Sequence, residues 1–110
     1  MGVKGPLPLP GARFQPAYMV AEVDWHDEAA LAKYGEGHSE LLAKYGGEIL
    51  AASEDVEIIE GKWRPRLLGI IRFPSKREFH AWYSSDEYAP RLAIRLKHAN
   101  SNVALIGDPE

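Results

Sequence analysis

The stretch that most constrains the fold is VEIIEGKWRPRLLGIIRF, residues 56–73. Two runs rich in Val, Ile and Leu, residues 56–59 and 67–73, flank a connection that contains Gly61 and Pro65. Glycine tolerates a positive φ, and proline cannot donate a hydrogen bond to a β-ladder, so this connection interrupts both runs. Apolar, β-branched runs on either side of such a connection predict a β-hairpin.

Two predicted strands are apolar on both faces. In residues 17–24 (AYMVAEVD) and 67–73 (LLGIIRF), the odd-numbered and the even-numbered side chains are both mostly apolar. Because alternate side chains point to opposite faces, this pattern is typical of central strands that are covered on both sides. Glu22 and Arg72 are the charged exceptions, and if the strands are neighbours we expect a structural ion pair across them.

Helical periodicity follows the first strand. Apolar residues at spacings of three and four predict a helix over residues 27–45, with Asp27 as its N-cap and Gly46 at its C-terminal stop. Gly35 and Gly37 lie inside this pattern, where each costs roughly 0.5–1 kcal/mol relative to alanine. They indicate either a kink or a place where a ligand or another backbone segment comes close.

The remaining pattern completes one small domain. We expect a second strand within residues 48–59, a helix over residues 75–84, a helix from near Pro90 to about His98, and a strand over residues 100–106. The order β-α-β-β-α-β is the ferredoxin-like arrangement of the α+β class, an antiparallel sheet with helices on one face.

Composition sets further limits on domains and partners. Residues 1–16 hold four of the eight prolines and predict a flexible arm, which leaves residues 17–110 as the folded domain. A net charge of −3 gives no electrostatic case for nucleic acid. The chain has no cysteine, and no run approaches the ~18 apolar residues of a membrane span, so we expect no membrane association and a cytoplasmic protein.

The residues that fit proton transfer are His38, Tyr34 and Glu22. His38 lies on the inward stripe of the predicted helix together with Tyr34, and an imidazole with an ordinary pKa near 6.5 serves as a general acid or base. A core histidine bonded to a carbonyl is an equally good interpretation. Tyr34 would donate a hydrogen bond, and Glu22 is the second candidate acid or base.

The candidate substrate-binding residues are Trp63, Arg66, Arg72 and Tyr83. Trp63 offers a stacking face, while Arg66 or Arg72 offers a cation for an enolate or a carboxylate. The alternatives are a structural role at the end of the sheet or in a dimer, and a core position for Tyr83. The histidines are scattered and no cofactor fingerprint is present, so we expect neither a metal site nor a cofactor.

The succession AYMVAEVDWHD, LLAKYGG, IEGKWRPR and IIRFPSKREFHAWYSSDEY resembles the domain-of-unknown-function family numbered 1330, over about residues 17–106. The resemblance implies a dimeric α+β barrel, in which the sheets of two copies pack face to face to form a homodimer. It also implies a ligand cleft between the sheet and its own helices.

The wider superfamily includes muconolactone isomerase-like enzymes, cofactor-independent monooxygenases and polyketide cyclases. Within this superfamily, the glycines of the predicted helix and His38 favour a small cofactor-independent isomerase or cyclase that moves a proton on an apolar, unsaturated or polyketide-like molecule. The alternative is a non-catalytic ligand-binding or accessory dimer. Family members commonly carry an arginine just after the position of Tyr34, whereas this chain has Gly35 there and His38 shortly after it.

Overall fold

The computed structural model describes residues 15–108, so the arm predicted for residues 1–16 falls almost wholly outside the described residues. Four strands and four helices occupy this part of the chain. They are β1 (Ala17–Trp25), α1 (Glu28–Gly35), α2 (His38–Lys44), β2 (Glu48–Ser53), β3 (Leu67–Phe73), α3 (Lys76–Tyr83), α4 (Ala89–His98) and β4 (Ala99–Ile106).

The four strands form one antiparallel sheet in the order β2-β3-β1-β4. The central strands are β1 and β3, the two whose sequences are apolar on both faces. In the register, Ala17 lies opposite Phe73 and Tyr18 lies opposite Ile106. This order and the position of the helices confirm the predicted ferredoxin-like α+β fold.

The core lies between the sheet and the helices. Alternate residues of β1, beginning with Ala17 and Met19, are buried on the helix-facing side, while their neighbours in sequence are only partly buried. The largest fully buried side chains are Trp82, Tyr88 and Phe73. Because each aromatic ring buries on the order of 150–250 Å², these three rings supply much of the burial that holds the helix layer on the sheet.

The single helix predicted over residues 27–45 is instead two helices. Asp27 does cap the first, since its Oδ1 accepts a hydrogen bond from the backbone N–H of Ala30 at 3.1 Å. The break comes at Gly37, whose φ of 69° lies in the left-handed region. A residue in that conformation cannot continue a right-handed helix, so Gly37 ends the helix rather than kinking it.

Arg91 of α4 stabilises this break from the neighbouring helix. Its Nη1 donates a hydrogen bond to the backbone carbonyl of Tyr34 at 2.8 Å, which satisfies one of the last carbonyls of α1. A Cβ atom added at Gly37 would lie 2.9 Å from Nη2 of Arg91. The break therefore depends both on the glycine conformation and on the space that glycine leaves for the guanidinium.

The strand predicted for residues 56–59 is absent from the sheet, and the connection between β2 and β3 is a long loop rather than a tight hairpin. The register explains the difference, since Ser53 already lies opposite Leu68. Almost none of β3 remains to pair with the chain beyond Ser53. Residues 54–66 therefore leave the sheet, and Ile59 is 80% exposed.

The expected ion pair between Glu22 and Arg72 is not formed. The register places Tyr18 opposite Arg72, and Glu22 opposite Leu68. Glu22 Oε1 instead accepts a hydrogen bond from Asn102 at 3.3 Å. Arg72 Nη1 lies 3.8 Å from a carboxylate oxygen of Glu48.

The face of the sheet opposite the core carries no helix in the described part of the chain, and Trp63 of the loop between β2 and β3 lies beside it. We call it the open sheet face. It presents the partly buried side chains of β1 and β3 that alternate with the core residues, which are Tyr18, Val20, Glu22, Leu68, Ile70 and Arg72. Val20, Leu68 and Ile70 form its apolar centre, and Glu22 and Arg72 are its charged residues.

Candidate functional site

A cavity of about 210 Å³ lies between the helix-facing side of the sheet and helices α1, α2 and α4. Its walls are mainly apolar side chains of the three strands β1, β2 and β3. They include Met19, Ala21, Val23, Ile49, Leu67 and Ile71. We call this space the sheet–helix cavity.

Small residues create the space. Gly69 of β3 has no side chain to project from the sheet, and Ala51 and Ala52 of β2 line the same region. On the helix side, a Cβ atom added at Gly35 would meet nothing within 4 Å. The glycine that looked anomalous inside a predicted helix therefore lies at the wall of the cavity, at the end of α1.

Arg95 is the charged residue in the lining of the sheet–helix cavity. It comes from α4 and is only 3% exposed. Its Nη1 donates a hydrogen bond to Ser101 Oγ at 2.8 Å, whereas Nε and Nη2 are buried and have no hydrogen-bond partner. No acidic residue lines the cavity, so the positive charge of Arg95 is not balanced there.

The charge of Arg95 is retained despite burial. Burial alone lowers its pKa, but the neighbouring phenols of Tyr88 and Tyr34 act in the opposite direction, and the net pKa of Arg95 is raised. A guanidinium does not lose its proton in proteins under ordinary conditions. The cavity therefore holds a permanent positive charge among apolar walls.

His38 lines the same cavity as Arg95. Its ring centroid lies 4.9 Å from that of Tyr34 and 6.3 Å from that of Trp82. Nδ1 of His38 is buried and makes no hydrogen bond, which differs from a core histidine anchored through that atom to a carbonyl. Burial, followed by the charges of Arg91 and Arg95, lowers the pKa of His38 from 6.5 to about 4, so the imidazole is neutral at pH 7.

Tyr34 connects the cavity to the aromatic core. Its hydroxyl lies 2.6 Å from the hydroxyl of Tyr88. Burial, followed by the proximity of Tyr88, raises the pKa of Tyr34 well above its usual range, so the phenol stays neutral. Because two hydroxyls share one hydrogen bond, one O–H of the pair remains free to donate to a third group.

The other predicted site residues lie elsewhere. Arg66 borders a second, more polar hollow of about 600 Å³ next to the cavity. Glu22 and Trp63 come together at a shallow depression on the open sheet face. Arg72 also lies on that face, and Tyr83 stacks on Phe79 in the aromatic core, with ring centroids 5.5 Å apart and an interplanar angle of 19°.

Of the predicted site residues, the structure therefore places His38 and Tyr34 in the sheet–helix cavity, and it places Glu22 and Trp63 together on the other face of the sheet. Arg95 was missed, although the sequence carried a signal for it. Tyr88, Leu92, Arg95 and Ala99 follow one another at spacings of four, three and four, which is the pattern of the inward face of a helix. A cation on such a face indicates a buried charge.

Residues 15–108 show neither a metal-binding cluster nor a membrane-spanning helix. This part of the chain contains no group of three or more His, Cys, Asp or Glu residues placed to hold a metal ion. It also contains no helix with the length and apolar character that crossing a membrane requires.

Comparison with known proteins gives one family. The family described as Domain of unknown function (DUF1330) matches residues 16–108. A comparison with curated proteins gives no match.

Solved structures share the fold at low sequence identity. A protein of unknown function from Rhodopseudomonas palustris has a TM-score of 0.72 and 17% identity, with coverage of 89% of this chain and 85% of that chain. A dimeric ferredoxin-like protein of unknown function from Thermobifida fusca has a TM-score of 0.62 and 14% identity, covering 87% and 93%.

SnoaB, a cofactor-independent oxygenase from Streptomyces nogalater, has a TM-score of 0.59 and 10% identity, covering 88% of this chain and 95% of that chain. At these identities the similarity shows the fold alone, and a shared fold does not by itself carry a reaction.

Proposed function

The chain belongs to the DUF1330 family, and from this premise we propose that it is a small cofactor-independent enzyme of the isomerase or cyclase type. It would move a proton on an apolar, unsaturated small molecule that enters the sheet–helix cavity. The observation that carries this proposal is the neutral, half-buried imidazole of His38 beside Tyr34 in an apolar cavity. SnoaB, a cofactor-independent oxygenase, is an example of this fold in an enzyme that works without a cofactor.

In the proposed reaction, His38 accepts a proton from a C–H bond next to a carbonyl group of the substrate. The imidazole of His38 is assigned to this step because it is neutral and lines the cavity. The free O–H of the Tyr34–Tyr88 pair donates a hydrogen bond to the carbonyl oxygen as negative charge develops on it. The apolar walls keep water away from the enolate that forms.

The low pKa of His38 is consistent with this role once the charge of the substrate is counted. In the empty cavity, the charges of Arg91 and Arg95 contribute to the low pKa. An enolate forming in the cavity offsets these cations, so the proton affinity of His38 rises as the reaction proceeds. In a second step, protonated His38 gives the proton back. Delivery to a different carbon of the enolate completes an isomerisation. Where the enolate carbon instead attacks a second carbonyl carbon and forms a C–C bond, delivery to the resulting alkoxide oxygen completes a ring closure.

Solvent deuterium exchange tests this proposal without knowledge of the natural substrate. Cyclic enones and monocyclic β-diketones are incubated with the protein in deuterated buffer, and exchange at the acidic carbon is followed by NMR. We expect the protein to accelerate exchange, and we expect His38→Ala to lower the rate by about 10²–10⁴-fold. His80→Ala is the matched control because His80 is exposed on α3. Equal rates for both variants contradict the assignment.

The second candidate function is a non-catalytic ligand-binding dimer. It is favoured by one observation, namely that the Tyr34 hydroxyl already bonds to Tyr88 in the free protein. A ligand that binds in the cavity and is recovered without deuterium supports this alternative.

We further propose that the protein is a homodimer in which the open sheet face packs on a second copy. The apolar centre of that face, with Val20, Leu68 and Ile70, suits burial against another sheet, and the Thermobifida fusca structure with this fold is described as dimeric.

Sedimentation velocity tests the proposed dimer directly. Ile70→Glu is expected to shift the protein to monomers, whereas Leu96→Glu, at a 65% exposed apolar residue of α4, leaves the dimer intact. Dimers in both variants contradict the proposed interface.

A further inference from the structure

The geometry of Arg95 points to the chemical class of the ligand. We propose that the sheet–helix cavity binds a small apolar molecule that carries one carboxylate, and that Arg95 is the residue that holds this group. This inference deepens the proposed function, because it names the substrate class for the same cavity. Four features of the site favour such a ligand, namely the unbalanced charge, the two guanidinium donors without partners, the apolar walls and the volume.

The first feature is the unbalanced charge. Within residues 15–108, no carboxylate forms an ion pair with Arg95, and no acidic residue is among the residues that line the cavity. Proteins rarely leave a buried charge without a partner, because removing an ion from water is costly. A ligand with one negative charge supplies the partner that the chain itself does not.

The second feature is the edge of the guanidinium that remains free. Nη1 is engaged by Ser101 Oγ, whereas the two donors without partners are Nε and Nη2. These two nitrogens lie side by side on one edge of the planar group, where their N–H bonds are nearly parallel. Two parallel N–H donors match the two oxygens of a carboxylate. Ser101 and the neighbouring hydroxyls of Tyr88 and Tyr34 therefore position the guanidinium, and a carboxylate that reaches Nε and Nη2 gives these two buried donors an anionic partner that the described residues do not supply.

The remaining features are the walls and the volume. Apart from Arg95, His38 and Tyr34, the cavity offers a ligand almost only apolar contacts. A cavity of roughly 150 Å³ is enough to hold benzene, so about 210 Å³ takes one ring or a short branched chain with its acid group. The volume thus favours a monocyclic or short-chain carboxylic acid over a molecule with several fused rings.

The experiment compares an acid with its neutral isostere. Benzoate and benzamide are titrated separately into the full-length protein at about pH 7.5, and binding is followed by NMR chemical shifts and calorimetry. We expect benzoate to bind at least about ten times more tightly than benzamide, because one well-placed charged hydrogen-bonded pair is worth that much or more.

Variants of α4 assign this preference to Arg95. Arg95→Met is expected to remove the preference for benzoate, and Arg95→Lys to keep only part of it, because lysine retains the charge and loses the two parallel donors. Lys97→Met removes one cation from the exposed side of the same helix and is expected to leave the preference unchanged. Far-UV circular dichroism shows whether each variant is folded.

Several outcomes overturn the inference. They are equal affinity for benzoate and benzamide, a preference that persists in Arg95→Met, and no binding of either probe at millimolar concentration. If Arg95→Met does not fold, the preference for benzoate over benzamide is compared between Arg95→Lys and Lys97→Met. An equal preference in these two variants overturns the inference. The deuterium-exchange assay is therefore repeated with a cyclic enone that carries a carboxylate. A preference for benzoate together with no exchange in this enone acid leaves the ligand class standing and removes the enzymatic proposal, so the two failures are distinguishable.

Discussion

Lowering the pH should destabilise this protein through His38. Burial and the cations of α4 lower the pKa of His38 to about 4 in the folded state, whereas the unfolded chain keeps a value near 6.5. Between these two values the unfolded state binds a proton that the folded state does not. The stability associated with neutral His38 is therefore fully present above pH 6.5 and is lost as the pH falls from 6.5 to about 4.

The size of the effect follows from the difference between the two pKa values. One pKa unit corresponds to about 1.4 kcal/mol, so the limiting loss is about 3 kcal/mol below pH 4. At about pH 5 the linkage relation gives a loss of about 2 kcal/mol. Because part of the ring is in contact with solvent, screening makes both values upper figures.

Urea unfolding at about pH 7.5 and about pH 5 measures this loss. The wild-type protein should lose about 2 kcal/mol more than His38→Gln between the two pH values, since all other titrating groups are common to both proteins. His80→Gln, which changes an exposed histidine, should behave like the wild type. An equal pH dependence in the wild type and in His38→Gln would refute the reasoning.

Three further predictions concern the glycines and the cation of the cavity. Gly37→Ala should lower the free energy of unfolding, measured with urea, by about 1–2 kcal/mol, because alanine is strained at a φ of 69°. Gly35→Ala should raise the same free energy by up to about 1 kcal/mol, because there is space for a Cβ atom at that position. Gly69→Ala should narrow the cavity and weaken benzoate binding while thermal unfolding stays unchanged or rises, since an added Cβ meets only ordinary contacts at 3.7 Å and beyond. In Arg95→Met, the pKa of His38 measured by NMR should rise above about 4, because one of the cations that lower it is gone.

Local patterns in the sequence determined much of the fold. The bounds of β3 agree with the prediction and those of β4 differ by one residue, because apolar alternation and the flanking turn residues are local signals. These local signals also gave the order of strands and helices along the chain. The single helix over residues 27–45 was wrong because periodicity alone does not reveal that Gly37 adopts a left-handed conformation with Arg91 beside it.

Features that depend on pairing between distant segments were not predictable in the same way. The fate of residues 56–59 depends on the register of β2 against β3, which no local pattern fixes. The position of Glu22 away from the cavity was also not predictable. It depends on which face of β1 the helices pack against, and both faces are apolar in sequence. His38 and Tyr34 were found because they share a helical stripe, and Arg95 was missed because it belongs to a different helix.

A crystal structure of the protein with 4-bromobenzoate would test directly whether the sheet–helix cavity is a binding site, since the bromine locates the ring by anomalous scattering. We expect the ring against the apolar wall near Gly69, with both carboxylate oxygens within hydrogen-bond distance of Nε and Nη2 of Arg95. An empty cavity at saturating ligand, or a carboxylate bound away from Arg95, would contradict this account.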